Sequence, residues 1–525
     1  MSLHADVIWE FRPTAGDNAN GGGFKAGASG VDLSIQDAAE QAYTDLVIDA
    51  VDNTKITSAA ERAFIADDVG NIINITGGTG FTTGRFEITA VAAGVATVDR
   101  AIGTTGSTGG TGNLGGALDV PYDAWVDNDL RSDGTNVHRV YIKNTGTGTI
   151  AADLTFTNKQ GATTRQLLFE GYNTTRGDNP TGTNRPLLDF GAFSLQLADT
   201  NSLGWLVKNL RFTTTSATGI AIPGLSVVRN CKFSNTSGTA GRIAVSSGYS
   251  TSVAASASVF IDCEMNSTAG TAFSIGSQSY VSADVHLIGC FIHDSVTGVG
   301  KTGTNSTILF IEDCIIKACS TAGLTGTTQF RIIKNCTFYG AATPAGIAIN
   351  NSGQPSGYRW LNNIIYGWTT GISVTTPDKR GLAEFNNFFN NTTNRSNIDA
   401  GPNDIALDPQ FTDPSTNDFT PGANMQGVGT PNVNIGAGGS ATRSYVDLGA
   451  AQTQAADYPS EDDVRDGVSF GDGAFEGNMT LPAEADVEAG VQYGTNGTEF
   501  EGTLPATTGG QRTRGILPFY AVKGS

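Results

Sequence analysis

Short apolar runs recur through the middle of the chain, and most of them end at a polar residue or a glycine that is followed by a cysteine. Five of the six cysteines fit one pattern, in which a large apolar residue stands two positions after the cysteine, as in Asn230-Cys231-Lys232-Phe233. The runs are rich in β-branched and aromatic residues, which favour strands. A glycine-marked turn and a second short run follow, as in residues 370–374. The pattern predicts strand, turn, strand and turn, repeated about every two dozen residues.

One position of this repeat predicts a column of stacked residues. The pattern continues without cysteine on both sides of the five cysteines. A coil of a β-solenoid cannot bury its own inner face, so equivalent residues of successive coils should stack in the interior. The predicted column contains Leu210, Cys231, Cys263, Cys290, Cys314, Cys336, Asn363 and Asn387. Its members lie 21, 32, 27, 24, 22, 27 and 24 residues apart, so loops of unequal length should protrude and offer places for binding.

The spacing of the cysteines has two other possible meanings, disulfides and metal binding. The sequence contains no Cys-x-x-Cys, and its four histidines do not form a ligand cluster in sequence. A buried free cysteine behaves as a small hydrophobe, and one per coil suits a packed column. We therefore expect free structural thiols and no metal or cofactor.

A segment after the last repeat resembles the closing segment of right-handed parallel β-helix repeat proteins. It begins as Leu407-Asp408-Pro409-Gln410-Phe411 and ends at Gly422, and Asp447-Leu448-Gly449-Ala450 occupies the place of a following strand. The resemblance covers roughly residues 120–450 and implies the fold. It implies no activity, because this architecture serves lyases, hydrolases, adhesins and inert virion parts.

The first 118 residues predict a different, β-rich unit. Strands are expected at 7–12, 69–75, 84–91 and 94–100, and a short helix over 34–47. The stretch from Gly84 to Ala101 resembles a small barrel-like module at the start of phage virion proteins. The glycine-rich stretch that follows reads as a linker. Its Gly110-x-Gly112-x-x-Gly115 matches a dinucleotide fingerprint, but no helix pattern follows, so the match is weak.

The last 75 residues contain a second, shorter repeat. Residues 459–471 match residues 482–494, and such repeats resemble C-terminal segments of tailed-phage structural proteins. Each unit is too small for a core of its own, so an extended arm is expected. Between Asp457 and Glu501 lie twelve acidic residues and one arginine, which is typical of an interaction segment. The candidate attachment residues are Val464, Gly467, Phe470, Val487, Gly490 and Tyr493.

Composition and charge narrow the classes of function. The net charge of −19 makes nucleic acid and anionic membranes poor partners. The chain start lacks the features of a signal peptide, which indicates synthesis in a cytoplasm.

The sequence contains no convincing set of catalytic groups, and we expect the chain not to be an enzyme. A glycosidase needs two carboxylates across a cleft. The acids considered are Asp262, Glu264, Asp284, Asp294, Glu312, Asp313, Asp378 and Glu384, of which Asp262 and Asp313 should end strands. His286 and His293 could approach Asp284 or Asp294, and Trp360 and Trp368 could either stack on sugars or pack at coil corners.

These observations favour an all-β protein in three regions. They are an N-terminal β-rich attachment domain (1–118), a right-handed parallel β-helix (119–450) and an acidic arm with a basic tail (451–525). The predicted function is a structural part of a tailed-phage virion, preferably a trimeric capsid decoration protein bound to the major capsid protein or another virion protein. The alternative is a tail spike that binds or degrades host polysaccharide; a bacterial adhesin is the third possibility.

Overall fold

A computed structural model describes most of the chain before residue 453 and only short pieces after it. The described residues are 6–121, 139–158, 167–199, 205–222, 226–247, 257–275, 284–301, 308–326, 329–340, 346–352, 358–375, 382–425, 428–429, 431–433, 443–445, 449–450, 469–470, 475–476, 492–493 and 500–501. They form strands and a few 3₁₀ helices, which confirms the predicted all-β class. The 3₁₀ helices are Leu33–Ile35, Ala66–Asp68, Gly182–Asn184, Pro414–Thr416 and Ala423–Met425.

The N-terminal region contains a closed six-stranded barrel with its own apolar core. In barrel order the strands are β3 (Gln41–Ile48), β4 (Lys55–Ser58), β7 (Val95–Val98), β6 (Gly84–Ala92), β5 (Ile72–Gly77) and β8 (Thr108–Leu114). The predicted helix over 34–47 is wrong. Only one 3₁₀ turn forms there, and β3 follows because its alternate residues Leu46 and Ile48 face the barrel core.

The predicted glycine-rich linker is also wrong, because it contains the barrel strand β8. Its glycines let neighbouring groups approach closely: a Cβ on Gly110 would lie 2.4 Å from the ring of Phe81, and one on Gly112 would lie 2.9 Å from the carbonyl oxygen of Asn74. The Gly-x-Gly-x-x-Gly match therefore has a packing role in the barrel.

The middle of the chain is a right-handed solenoid made of two long sheets. All pairs in the first sheet are parallel except β1 with β2. In order its strands are β2 (Gly23–Lys25), β1 (Val7–Phe11), β9 (Arg139–Lys143), β12 (Leu167–Tyr172), β15 (Trp205–Lys208), β18 (Val227–Arg229), β21 (Ala257–Ile261), β24 (Asp284–Ile288), β26 (Ile308–Glu312), β28 (Gln329–Lys334), β31 (Arg359–Leu361) and β34 (Leu382–Glu384).

The second sheet contains the strands that follow the column position and the strands after the next turn. In order they are β10 (Thr147–Thr149), β11 (Leu154–Asn158), β13 (Leu187–Asp189), β14 (Leu195–Asp199), β16 (Arg211–Thr214), β17 (Ile220–Ile222), β19 (Lys232–Asn235), β20 (Ile243–Ser247), β22 (Glu264–Ser267), β23 (Thr271–Ile275), β25 (Phe291–Lys301), β27 (Ile315–Gly326), β29 (Thr337–Tyr339), β30 (Ile347–Asn351), β32 (Ile364–Tyr366), β33 (Thr370–Val374), β35 (Asn387–Phe389) and β36 (Thr393–Ser396). Each strand pairs in register with its equivalent one coil away, which stacks like positions.

The solenoid interior is one continuous apolar cluster. Phe212 and Phe233 of successive coils stack at 5.1 Å between ring centroids, and Met265 continues their row. Trp360 and Trp368 are fully buried in the same cluster, so they pack inside the coils and are not exposed to a ligand.

The predicted boundary at residue 118 does not separate the barrel from the solenoid, because residues before it also form part of the solenoid. Strand β1 pairs in parallel with β9, so the chain forms a solenoid strand first, then the barrel, and then the remaining coils. Leu118 is buried in the solenoid cluster with Trp9 of β1. The N-terminal region of 1–118 therefore contributes to both cores.

The described pieces of the C-terminal region form two equivalent hairpins. Strands β39 (Ser469–Phe470) and β40 (Phe475–Glu476) pair antiparallel, as do β41 (Gln492–Tyr493) and β42 (Phe500–Glu501). These hairpins occupy matching positions of the two sequence repeats. Before them, β37 (Pro431–Val433) pairs with β38 (Arg443–Tyr445).

Candidate functional site

A left-handed residue precedes the column position in every coil from 209 to 385. Its φ angle lies between 50° and 61° at Asn209, Asn230, Asp262, Gly289, Asp313, Asn335, Asn362 and Phe385. Asparagine, aspartate and glycine adopt this conformation most readily, which explains the polar or glycine residue of the sequence pattern. Asp262 and Asp313 thus follow strands β21 and β26 and act in turns.

The structure places Leu210, the five pattern cysteines and Asn363 at one buried position of successive coils. The last predicted member, Asn387, is wrong, and Asn386 occupies this position. Phe385, an unusual residue for a left-handed turn, precedes Asn386, so the polar residue that marks the turn in other coils is missing here. Asn387 instead starts β35 and pairs with Ile364.

The column cysteines have structural hydrogen bonds. Each thiol donates to the carbonyl oxygen two residues earlier, with a sulfur–oxygen distance of 3.1–3.5 Å. Burial raises the pKa of Cys231 to about 12, and it does the same for Cys319, the sixth cysteine. These two thiols therefore stay protonated at neutral pH and are poor nucleophiles.

A polar strip on the outer face of the second sheet is the best candidate for a functional site. The strands β19, β22 and β25 each begin just after the left-handed turn, so their first and third residues point outward. In one row Lys232, Glu264 and Phe291 are register partners. In the next row Ser234, Asn266 and His293 are partners. We call these six residues the outer cleft.

Charges in the outer cleft are closely paired around Glu264. Its Oε1 lies 2.6 Å from Lys232 Nζ and 3.2 Å from His293 Nε2, and its Oε2 lies 3.8 Å from an Arg185 nitrogen. Burial opposes ionisation of Glu264, but the hydrogen bonds from His293 and Lys232 outweigh it and lower the pKa to about 2. Glu264 is therefore a fixed anion and is unsuited to donate a proton at neutral pH.

His293 is held from three sides. Its Nδ1 lies 2.8 Å from Asp294 Oδ2, its Nε2 faces Glu264, and its ring stacks on Phe291 at 4.3 Å between centroids. Asp294 has a left-handed backbone with a φ of 46°. The expected approach of His293 to Asp294 is thus present, whereas His286 stacks on Phe310 on the outer face of the other sheet.

Two segments of chain border the outer cleft along the solenoid axis. On one side Arg185 donates to the carbonyl oxygen of Asn230 at 3.0 Å. On the other side Lys317, the register partner of His293 in the next coil, donates to the carbonyl oxygen of Pro414 at 3.1 Å. Pro414 belongs to the closing segment that was recognised in the sequence.

The closing segment covers the same outer face in the following coils. Phe411 and Phe419 pack edge-on against Tyr339, at 6.0 and 5.2 Å between centroids. Gly449 donates from its backbone nitrogen to the carbonyl oxygen of Asn362, which places the predicted last piece on the solenoid as well. Among the described residues, the contacts of Arg185 and of the closing segment lie on either side of the outer cleft.

Two of the six candidate attachment residues lie among the described residues. Among the candidate attachment residues, Phe470 pairs with Phe475, and Tyr493 pairs with Phe500. The remaining four, Val464, Gly467, Val487 and Gly490, lie outside the described residues, as does Asp378. Among the described residues, no group of three or more His, Cys, Asp or Glu side chains is arranged to hold a metal ion, and no helix is long and apolar enough to cross a membrane.

Comparisons with known proteins agree with this fold. A family model for the right handed beta helix region matches residues 218–393. Among solved structures, pectate lyase Pel9A matches with a TM-score of 0.37 and 15% identity, covering 64% of this chain and 91% of that chain. No curated protein matches the sequence significantly.

Two further matches are catalytic domains of a GH87 alpha-1,3-glucanase, one in complex with tetrasaccharides and one with nigerose. Their TM-scores are 0.20 and 0.22, their identities are 10% and 12%, and each match covers 70% of this chain and 89% of that domain. The two long parallel sheets and the family-model match over residues 218–393 define a right-handed parallel β-helix fold.

The expectation that the chain is not an enzyme is contradicted, because the three solved structures named above, a pectate lyase and two glucanase domains, are enzymes. That expectation rested on missing sequence motifs, and groups from different coils can form a site without any local motif. At these identities the likeness itself shows the fold alone, so it assigns no reaction to this chain.

Proposed function

We propose that this chain is a structural component of a tailed-phage virion, most specifically a homotrimeric capsid decoration protein held by its two ends. The resemblances of the barrel-like module and of the C-terminal repeats to phage proteins support this class. The proposed partners are further copies of the chain and the major capsid protein or another virion protein. The proposed location is the virion, after synthesis in the host cytoplasm.

The observation that carries the proposal is the buried junction between the barrel and the solenoid. Arg176, in a loop after β12, donates to Glu10 of β1 at 2.8 Å and to Asp32 before the barrel at 2.8 Å. Tyr172 also donates to Glu10, and Arg12 joins Glu10 to Asp37. A projection that must transmit force from an attachment module to a β-helix needs such a fixed junction.

Particle analysis tests the proposal directly. Mass spectrometry and electron cryomicroscopy of purified phage particles should find the chain at capsid positions with threefold density. Its absence from particles would overturn the proposal, and its presence only at the tail would favour the tail-spike alternative.

Attachment by the C-terminal repeats can be tested with two substitutions. Val464→Asp together with Val487→Asp should lower the amount of protein retained on particles, because both positions recur in the repeats. Leu407→Asp is the matched control, since Leu407 is 46% exposed and lies on the closing segment of the solenoid, outside both ends. Equal retention of both variants would contradict a role of the repeats in attachment.

A further inference from the structure

We propose that the outer face of the first sheet is the surface through which copies of this chain bind each other, side by side and in the same direction. The inference rests on the homotrimer of the proposed function, and it names the surface that joins the three copies. Three observations support it: one row of side chains, the charge of the chain and the area of the face.

One outward row of the first sheet consists of six apolar residues and one histidine on seven successive strands, from β12 to β28. Each member is the register partner of the next. The residues on either side of a member face the core, as Val285 and Leu287 do beside His286, so the row points outward. We call it the apolar row, and its members are Leu168, Leu206, Val227, Val259, His286, Phe310 and Ile332.

The apolar row forms a continuous surface that is open to solvent in part. All seven side chains are partly exposed. His286 lies flat on Phe310, with 4.4 Å between ring centroids and 4° between ring planes, so the histidine extends the surface instead of interrupting it. A contiguous apolar patch of this length is uncommon on a monomer and typical of an interface. Among the described residues, the closing segment packs on the second sheet and leaves this row uncovered.

Charged residues border the apolar row. Arg139 precedes it and Arg359 follows it in the register. The neighbouring outward row is apolar in its middle, at Ile261 and Ile288. The charged members of that neighbouring row are Glu170, Lys208, Arg229, Glu312, Lys334 and Glu384. An apolar centre with a charged rim is the arrangement found in protein–protein interfaces.

The charge of this face favours a second copy of the chain as the partner. The chain has 50 acidic and 31 basic residues, so two copies repel each other on average. The two outward rows, in contrast, contain five basic and three acidic residues. Copies of this acidic chain can therefore approach each other through this face without that repulsion.

The area of the face is sufficient for a stable contact. The eight strands from β12 to β31 extend over about 38 Å at the usual spacing of paired strands, and a five-residue strand such as β24 is about 17 Å long. The face thus offers about 650 Å² per copy. A standard interface buries about 600–1,000 Å² on each partner.

The direction of packing follows from the symmetry of a trimer. Around a threefold axis parallel to the solenoid, each residue near the axis meets the same residue of the other copies. The apolar members then contact each other along the axis. Arg139 and Arg359 are exposed at the two ends of the row, where their side chains reach solvent and avoid each other.

Sedimentation velocity of the full-length protein is the first test. We expect the unmodified protein to have three times the mass of one chain, which is 54.4 kDa. Val259→Asp and Phe310→Asp should each reduce the mass to that of one chain at the same concentration, with unchanged circular dichroism. Ile315→Asp is the matched control, because Ile315 is a partly exposed, outward residue of the second sheet. This variant should remain trimeric.

Cross-linking is the second test, and it depends on contact between copies and not on their stability. The six natural cysteines are buried, so an added surface cysteine is the one that reacts. Oxidation with copper phenanthroline should link Val259→Cys into covalent dimers on non-reducing electrophoresis, whereas Ile315→Cys should stay unlinked.

Four results would overturn the inference: an unmodified protein that is monomeric, aspartate variants that remain trimeric, an equal loss of mass in Ile315→Asp, or no cross-link through position 259. Each of these results concerns the protein in solution. They are therefore distinguishable from a failure of the proposed function, which would appear as absence of the chain from purified particles.

Discussion

Ile72 and Ile73 are neighbours on one barrel strand, yet they are buried in two different cores. Ile73 belongs to the barrel cluster, whereas Ile72 belongs to the solenoid cluster. The side chain of Ile72 packs next to Gly23, because a Cβ built on Gly23 would lie 2.9 Å from the side chains of both Ile72 and Val7. Successive residues of a strand face opposite sides. Strand β5 therefore covers the first solenoid strand with one face and closes the barrel with the other.

Because the two isoleucines pack in different cores, we expect alanine substitutions at positions 72 and 73 to destabilise different parts of the protein. Ile72→Ala should increase amide hydrogen exchange in β1 and β9, and Ile73→Ala should increase it in the barrel strands. Each cavity should lower the free energy of unfolding by about 2–5 kcal/mol. Val51→Ala is the control, because Val51 is exposed. Exchange mass spectrometry that locates both effects in the barrel alone would contradict a shared junction.

A second prediction concerns the end of the column. Asn386 Oδ1 accepts from the backbone nitrogen of Asn363 at 3.1 Å and from its Nδ2 at 2.9 Å, so Asn386→Ala leaves buried donors without an acceptor. We expect a loss of roughly 1–3 kcal/mol for each stranded group. Asn386→Cys should lower the free energy of unfolding by less, because a cysteine sulfur can accept the same backbone hydrogen bond. In an earlier coil, Cys314 Sγ accepts from the backbone nitrogen of Cys290 at 3.3 Å.

Urea unfolding followed by circular dichroism measures these differences. Asn403→Ala is the control, since Asn403 is exposed. If the alanine and cysteine variants at position 386 were equally stable, the hydrogen bonds of the column would have no measurable role.

A third prediction concerns the thiols. All six cysteines are free and buried, so a thiol reagent at pH 8 should label none in the folded protein and six after unfolding. Burial raises the pKa of Cys231 to about 12, whereas an unfolded thiol ionises near about 8.5. The unfolded state therefore binds fewer protons above this pH, and stability should fall as the pH rises from about 8.5 to 12.

The variant Cys231→Ala isolates this effect. It should be less stable at pH 7 because it leaves a small cavity, but its stability should decline less steeply above pH 8.5. Parallel declines in both proteins would show that Cys231 ionises normally in the folded state.

The repeat made the fold predictable, because each coil repeats the same sequence of β-rich run, turn residue and small buried residue. The left-handed turn can be read from the sequence as Asn, Asp or Gly. In the last coil the residue at this position is Phe385, and there the column position was predicted one residue too late. Residues 34–47 were predicted as a helix from a capping pattern, but alternate burial in the barrel outweighed that local signal.

The outer cleft was only partly visible in the sequence. Glu264, His293 and Asp294 were candidates, but Phe291, Asn266 and Lys232 were not, because they lie on three coils and share no local motif. Register alone aligns them. The signal that could have found them is the offset from the column cysteines: Lys232, Glu264 and Phe291 each follow one directly.

The last prediction tests the charge pairing around Glu264 through its pH dependence. The folded pKa of about 2 lies below the value of about 4.3 for an unfolded glutamate. The stabilisation should therefore be complete above about pH 4.3 and should disappear as the pH falls toward 2. The difference in urea midpoint between the unmodified protein and Glu264→Gln should shrink over this window. Glu40→Gln, at an exposed position, should show no such change. A difference that stays constant from pH 6 to pH 2.5 would mean that Lys232 and His293 do not stabilise the Glu264 anion.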